Sequence, residues 1–222
     1  MGMPRGDIID RIWRGRDPFL GFPTNLFGND MQGWGAEHHY LIEAITPIPD
    51  IVVVEVGVWK GASSIRMAQA MKEQGIRGTV ICVDTWLGSV EHWTQDWFAD
   101  LSCQFGYPSL QRKFMSNVLA AGVQDMIVPL PLDSVNASHV LGHHEIAADV
   151  IHIDAGHDHA SVSTDLAAWW PRLKPGGLYL GDDYHEVVHW PEVKTAHDDF
   201  FGHLGLAPLE NVAGKCRVRK PA

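Results

Sequence analysis

Residues 51–61, which read IVVVEVGVWKG, decide the predicted fold. They begin with a mostly β-branched apolar run, which is typical of a strand buried on both faces of a parallel sheet. The run ends at Gly57, and a helix is predicted over residues 63–74 with Ser63 or Ser64 as its N-cap. A strand, a glycine-containing turn and a helix, in this order, indicate the first unit of an α/β fold.

The same alternation continues along the chain. Further strands are predicted at residues 79–83, 126–130, 149–153 and 178–180, and helical patterns at 7–13, 37–45, 110–121, 162–173 and 192–204. Residues 206–209 and 215–218 flank 210–214 and predict a closing antiparallel hairpin. The chain is therefore expected to be one α/β domain over residues 1–222, with a mainly parallel sheet and a C-terminal antiparallel hairpin.

Two segments lie outside this regular pattern. Residues 1–50 are interpreted as an N-terminal arm and a helix. Residues 86–124 are too long for a simple crossover and are predicted to form a cap over the active site, with a packed surface insertion as the alternative. The aromatic residues of this cap are Trp86, Trp93, Trp97, Phe98, Phe105 and Tyr107.

The 222-residue chain is acidic, with 17 Lys and Arg against 27 Asp and Glu and a formal net charge of -10. Such a chain is a poor electrostatic match for nucleic acid or an anionic membrane, so neither is expected as a partner. The one basic cluster is the tail at residues 215–220. No apolar stretch approaches the roughly 20 residues of a membrane span, and the N-terminus has no signal-peptide pattern, so a cytoplasmic location is expected.

The turn at residues 55–61 has the spacing ExGxxxG, not the dinucleotide-binding spacing GxGxxG. Its glycines would let a ligand approach the backbone at the start of a helix. Asp84 follows the second predicted strand, where an acidic side chain can accept hydrogen bonds from ribose hydroxyls. Together these features indicate a nucleoside-binding edge of the sheet.

Three carboxylates follow neighbouring predicted strands: Asp154, Asp182 and Asp183. The carboxyl ends of parallel strands meet at one edge, so these side chains are expected to converge. Converging carboxylates repel one another unless a cation or hydrogen bonds compensate them, and hard oxygen ligands suit Mg²⁺. The alternative is that one Asp caps a helix and another pairs with a basic residue.

Histidines accompany this edge: His152, His157, His159 and His185. His157 lies just beyond a strand end, where a loop could direct it at a substrate. An imidazole is a credible general base near neutral pH. Two His and one carboxylate could instead form a non-haem iron site, so this alternative stays open.

Five motifs together resemble the class I S-adenosylmethionine-dependent methyltransferases: 55–61, 84–86, IHIDAGH at 151–157, LKPGG at 173–177 and GDDY at 181–184. The resemblance covers residues 53–184. Within that class it is similar to the branch of macrocin-type, metal-dependent sugar O-methyltransferases and cephalosporin hydroxylase-like proteins. Ala155 and His159 depart from the branch pattern without removing a ligand.

The resemblance implies a Rossmann-like class I methyltransferase sandwich and a set of roles. S-adenosylmethionine would be bound by Glu55, Gly57, Gly61, Ser63, Ser64, Asp84, Asp133 and Ser134. Mg²⁺ (or Mn²⁺) would be held by Asp154, Asp182 and Asp183, with His157 as the base. The implied activity is O-methylation of a small hydroxylated acceptor such as a sugar or glycoside.

Two alternatives to this activity remain from the sequence: a non-haem iron hydroxylase on the same scaffold, and a cofactor-binding module without turnover. Trp13 and Trp34 of the N-terminal arm could pack on their own core or on a partner subunit. A homo-oligomer is therefore kept as an expectation.

Overall fold

The structure is a computed structural model that describes residues 2–95, 101–185 and 188–222. The helices are α1 (Arg5–Trp13), α2 (His39–Glu43), α3 (Ala62–Glu73), α4 (Val90–Thr94), α5 (Leu110–Ala121), α6 (Ser134–His143), α7 (His159–Trp169) and α8 (Pro191–His203). The strands are β1 (Ile51–Val56), β2 (Gly78–Val83), β3 (Ile127–Leu130), β4 (Ala148–Ile153), β5 (Leu173–Gly181), β6 (Glu210–Val212) and β7 (Lys215–Arg219).

All seven strands form one sheet in the order β3-β2-β1-β4-β5-β7-β6. The strands from β3 to β5 are parallel, and β7 and β6 are antiparallel additions at one edge. The predicted α/β architecture with a C-terminal antiparallel hairpin is therefore confirmed. The order reverses between β1 and β4, and a reversal of this kind leaves a crevice at the carboxyl ends of the strands.

The sheet lies between two layers of helices. Along β1, Val52, Val54 and Val56 face one layer, while Ile51 and Val53 face the other, as strand alternation requires. The first layer contains α1, α6, α7 and α8, and the second contains α2, α3 and α5. Every residue of β1, β2, β3 and β4 is buried, which explains their continuous apolar runs.

Two local predictions differ from the structure, and one helix was not predicted. The first strand of the hairpin is 210–212 rather than 206–209, and the turn is correspondingly shorter. The N-cap of α3 is Gly61, in the left-handed region, because the hydroxyls of Ser63 and Ser64 donate to Glu55 instead. Helix α6 has no strong apolar period and was not predicted.

The predicted cap at 86–124 has two parts in the structure. Helix α5 packs into the core through Leu110, Phe114 and Val118, with Trp86 stacked on Phe114 at 4.9 Å. Helix α4 contributes Glu91 and His92 to the lining of the cavity described below. Trp97 and Phe98 lie outside the described residues.

The N-terminal arm packs on the domain. Trp13 donates to the Pro129 carbonyl at 2.9 Å and contacts the core of its own chain, whereas Trp34 is 62% exposed beside the cavity. Among the helices of the described ranges, none has the length and apolar character that crossing a bilayer requires.

Candidate functional site

A cavity of about 1500 Å³ opens at the carboxyl edge of the sheet. This exceeds the roughly 300–1,000 Å³ of most small-ligand pockets, so it has room for two small molecules side by side. Five of the eight predicted cofactor residues line it: Gly57, Ser63, Asp84, Asp133 and Ser134. The predicted metal residues Asp154, Asp182 and Asp183 and the predicted base His157 line it too.

The Gly57 turn is shaped by its close approach to β4. Gly57 has a φ of 81°, and a Cβ added there would lie 1.7 Å from the carbonyl oxygen of Asp154. No other residue type fits this position without moving the backbone. The turn therefore brings the end of β1 directly beside Asp154 at the end of β4.

Asp84 holds the turn from the neighbouring strand. Its Oδ2 accepts hydrogen bonds from the backbone N–H groups of Val58 and Trp59 at 2.8 and 2.9 Å. Its Oδ1 accepts one from Trp86 N at 2.6 Å. Burial raises the pKa of Asp84, and these backbone donors oppose that shift. Oδ1 has acceptor capacity left for a ligand hydroxyl.

Glu55 points away from the cavity. It is fully buried, accepts hydrogen bonds from the hydroxyls of Ser63 and Ser64, and lies 2.9 Å from His152 Nδ1. The structure thus gives Glu55 and Ser64 a role in joining β1 to α3 and β4. Gly61 meets the Phe114 ring rather than the cavity. Direct cofactor binding by Glu55, Gly61 and Ser64 stays a prediction.

At the other end of the cavity, Asp133 caps α6. Its carboxylate accepts from Asn136 N at 3.0 Å and from Asn136 Nδ2 at 2.7 Å. Ser134 accepts from Trp169 Nε1 at 2.8 Å. Asp165 of α7, which sequence reasoning did not single out, lines the cavity there and is 6% exposed.

Burial raises the pKa of Asp165 to about 6, although a hydrogen bond with Ser134 acts to lower it. The folded state therefore holds the proton more tightly than the unfolded state, and stability falls as pH rises between 3.8 and about 6. The stability of wild type relative to Asp165→Asn should drop by about 2–3 kcal/mol between about pH 4 and about pH 8. Urea unfolding at both pH values measures this. Asp158→Asn is the control, because the pKa of Asp158 is lowered and its effect should have the opposite sign.

The three acidic residues at the sheet edge belong to two candidate metal groups, each completed by a histidine, and Asp154 is common to both. In each group, one ligand atom per residue lies within 4.8 Å of the others. The first group is His152, Asp154 and Asp182, and the second is Asp154, His157 and Asp183. Coordination of one ion by all three Asp together stays a prediction.

The electrostatics of this edge are asymmetric. Burial and the neighbouring carboxylate of Asp182 raise the pKa of Asp154 well above its usual range. Burial would do the same to Asp182, but the Lys215 ammonium beside it holds the pKa of Asp182 below its usual value. The charge of Asp154 is thus less compensated than that of Asp182, and hard oxygen donors of this kind fit Mg²⁺.

His157 lies where the sequence predicted, beyond the end of β4. Its Nε2 is 3.1 Å from Asp183 Oδ2, and its ring stacks on Trp190 at 4.2 Å. Asp183 adopts a left-handed backbone with a φ of 53°, as Asp tolerates better than most residues. His159 instead pairs with Asp199 at 3.0 Å.

The other two histidines have separate partners. His152 is fully buried. His185 lines the cavity, and its Nε2 lies 2.7 Å from Asn211 Oδ1. Each candidate metal group contains one His and two Asp. A set of two His and one carboxylate, which an iron hydroxylase would use, is not found among residues 2–95, 101–185 and 188–222.

The basic run at residues 215–220 contains the predicted second strand of the hairpin, and two of its cations pair with acidic side chains. Residues 215–219 form β7, and Lys215 is 1% exposed in an ion pair with Asp182. Arg217 pairs with Glu43 and Glu210. The sequence interpretation did not single out Trp190, because no sequence period connects it with His157.

Comparisons with known proteins agree with this fold. A family model described as a methyltransferase domain matches residues 54–184, more than half of the chain. The solved O-methyltransferase NovP aligns with a TM-score of 0.63 at 18% identity, over 97% of this chain and 88% of its own. CalS11, a calicheamicin methyltransferase, aligns with a TM-score of 0.57 at 18% identity, over 82% of this chain and 76% of its own.

A curated relative adds a local match. The 8-demethyl-8-alpha-L-rhamnosyl tetracenomycin-C 2'-O-methyltransferase of Streptomyces olivaceus is 39% identical over 51 residues, which are 23% of this chain and 13% of that protein. The chain thus spans about an eighth of this relative's length, whereas the family model spans the sheet from β1 to the end of β5. On the family match, and as its motifs predicted, the chain belongs to the methyltransferase domain family.

Proposed function

We propose that this protein is an S-adenosylmethionine-dependent O-methyltransferase acting on a hydroxyl of a small acceptor such as a sugar or glycoside. The observation that carries the proposal is a single cavity with two chemically different walls. The Gly57 turn and Asp84 form one wall, and Asp154, His157 and Asp183 form the other. The first wall suits a nucleoside cofactor, and the second suits a hydroxyl that must lose a proton.

The cofactor half of the proposal rests on backbone shape. Gly57 leaves space for close approach, and Asp84 fixes the N–H groups of Val58 and Trp59 while keeping an acceptor for ribose. Ser63 at the start of α3 lines the same wall. S-adenosylmethionine would supply an electrophilic methyl group on its sulfonium.

The acceptor half rests on the acidic edge. Asp154 and Asp183 would hold Mg²⁺ or Mn²⁺, because carboxylate oxygens are the ligands these ions prefer. Asp182 lies beside them. The bound ion would supply Lewis acidity that lowers the pKa of the acceptor hydroxyl. The tetracenomycin relative, which is a sugar 2'-O-methyltransferase by name, supports this acceptor class.

Methyl transfer requires alignment and removal of one proton. Bound S-adenosylmethionine would supply the methyl group by cleavage of its sulfur–carbon bond and would leave as S-adenosylhomocysteine, so the acceptor oxygen must be held in line with that bond. His157 takes the hydroxyl proton, and its stacking on Trp190 holds the ring in place for that task. Because the reaction is a displacement, the protein acts mainly by positioning both reactants.

The iron hydroxylase alternative is not supported, since the family match is to methyltransferases and each metal group offers one His. A module without turnover would bind cofactor but show no methyl transfer to any acceptor. Turnover with radiolabelled methyl donor across a panel of glycosides separates it from the proposed enzyme.

Asp84→Ala should weaken binding of S-adenosylhomocysteine by about 1.5–3 kcal/mol, roughly 10- to 150-fold. The loss has two causes: the turn loses its backbone acceptor, and the ribose loses a charged partner. Isothermal titration calorimetry measures it. Asp158→Ala is the matched control, because Asp158 also accepts a backbone N–H, from Ser161 at 3.0 Å, without lining the cavity. Wild type that binds a nicotinamide dinucleotide and ignores the sulfur cofactor would contradict the proposal.

A further inference from the structure

Behind the acidic edge of the cavity, side chains from three strands form a buried polar chain. Glu55 of β1 and His152 of β4 are fully buried, and Lys215 of β7 is 1% exposed. His152 Nδ1 lies 2.9 Å from Glu55 Oε1, and Lys215 Nζ lies 3.3 Å from His152 Nε2. The same ammonium pairs with Asp182, so the contacts run without a break from the β1 strand to the cavity.

These contacts fix the roles of the His152 ring nitrogens. The carboxylate of Glu55 can only accept, so the Nδ1 that faces it carries the proton. Nε2 is then an acceptor, and the Lys215 ammonium donates to it. The two acceptors of Lys215, an imidazole nitrogen and a carboxylate oxygen of Asp182, are also atom types that bind divalent cations.

Lys215 contacts two of the three members of the first candidate metal group, His152 and Asp182. We propose that the Lys215 ammonium is the protein's own cation in this first group and confines a divalent ion to the second group. In the second group, Asp154 and Asp183 are the metal ligands of the proposed function, and His157 beside them is its base. The presence of an ion in the second group rests on the proposed function. The placement of the ammonium in the first group rests on the contacts of Lys215 alone.

Charge compensation favours this division. Three carboxylates, Asp154, Asp182 and Asp183, meet at the edge, and a divalent ion supplies two positive charges. The ammonium of Lys215 supplies the third positive charge through its ion pair with Asp182. A partly buried carboxylate without a cation would be costly, so a fixed ammonium is a stable solution for one of the three.

The test is the number of Mn²⁺ ions bound per chain, measured from the electron paramagnetic resonance signal of free Mn²⁺ during titration of metal-free protein. Wild type should bind one ion. Lys215→Ala should bind two, because His152 and Asp182 become available to a second ion. Lys215→Arg keeps the charge and should bind one. Asp182→Asn added to Lys215→Ala should remove the second ion again.

The same number of ions, at the same affinity, in wild type and folded Lys215→Ala would overturn the inference. If Lys215→Ala does not fold, Lys215→Met keeps the length of the side chain and loses its charge. It should raise Mn²⁺ affinity about 10- to 100-fold, and an unchanged affinity would overturn the inference. Wild type without any bound Mn²⁺ would contradict the proposed metal site, while the gain of an ion in Lys215→Ala would still support the role of Lys215.

Discussion

His157→Ala is expected to lower kcat for methyl transfer by roughly 10²–10⁴-fold, because the acceptor hydroxyl loses its general base. The ring lies at the cavity with its Nε2 3.1 Å from Asp183 and its face on Trp190. Affinity for S-adenosylhomocysteine should stay within a few-fold of wild type, since the cofactor wall is formed by other residues. Steady-state kinetics with a saturating methyl donor, together with calorimetry, measures both.

His159→Ala is the matched control, because His159 pairs with Asp199 outside the cavity and should leave kcat nearly unchanged. Loss of Mn²⁺ binding in His157→Ala would make His157 a metal ligand rather than a base. Unchanged turnover would leave His185, which also lines the cavity, as the next candidate.

Asp154→Asn is expected to abolish Mn²⁺ binding and to lower kcat by about 10³-fold or more, since a metal ion contributes several kcal/mol to such reactions. Asp154 is the member common to both candidate metal groups, so its loss affects either arrangement. The amide keeps the shape of the side chain and removes a charge that burial and Asp182 disfavour. Without metal, the variant should therefore be more stable than wild type at neutral pH.

The two opposite effects are measured by kinetics with Mn²⁺ and by urea unfolding with a chelator present. Asp199→Asn is the control, because Asp199 is a carboxylate that pairs with His159 away from the cavity. Turnover and ion binding that survive in Asp154→Asn would contradict the metal site. Lower stability in the chelator would show that Asp154 is already compensated in the metal-free protein.

The sequence predicted the parts of the fold that depend on local pattern. Continuous apolar runs indicated the buried parallel strands, and their bounds agree with the structure to within a residue or two for β1 to β4. Parallel strands bring their carboxyl ends to one edge, so residues such as Asp84, Asp154 and Asp182 could be placed together from sequence alone. Gly57, whose close approach to β4 this edge requires, was visible in the turn motif at residues 55–61.

The sequence could not show which way each polar side chain turns. Glu55 and Asp84 both accompany the first turn, but Glu55 points into the core, where two hydroxyls and His152 compensate it. Residues at strand ends can face the cavity or the interior, and packing against helices decides between them. The division of Asp154, Asp182 and Asp183 between two candidate metal groups also depends on side-chain orientation, so the sequence did not show it.

Lys215 lies 63 residues after His152, in a segment where the sequence predicted a hairpin strand but no contact with the acidic edge. The antiparallel pairing of β7 with β5 places this lysine beside Asp182, and pairing of distant segments has no local sequence pattern. Local periodicity thus determined the sheet and the edge where chemistry is expected. The tertiary structure decided which charges meet there, because burial and partner contacts depend on segments that only folding brings together.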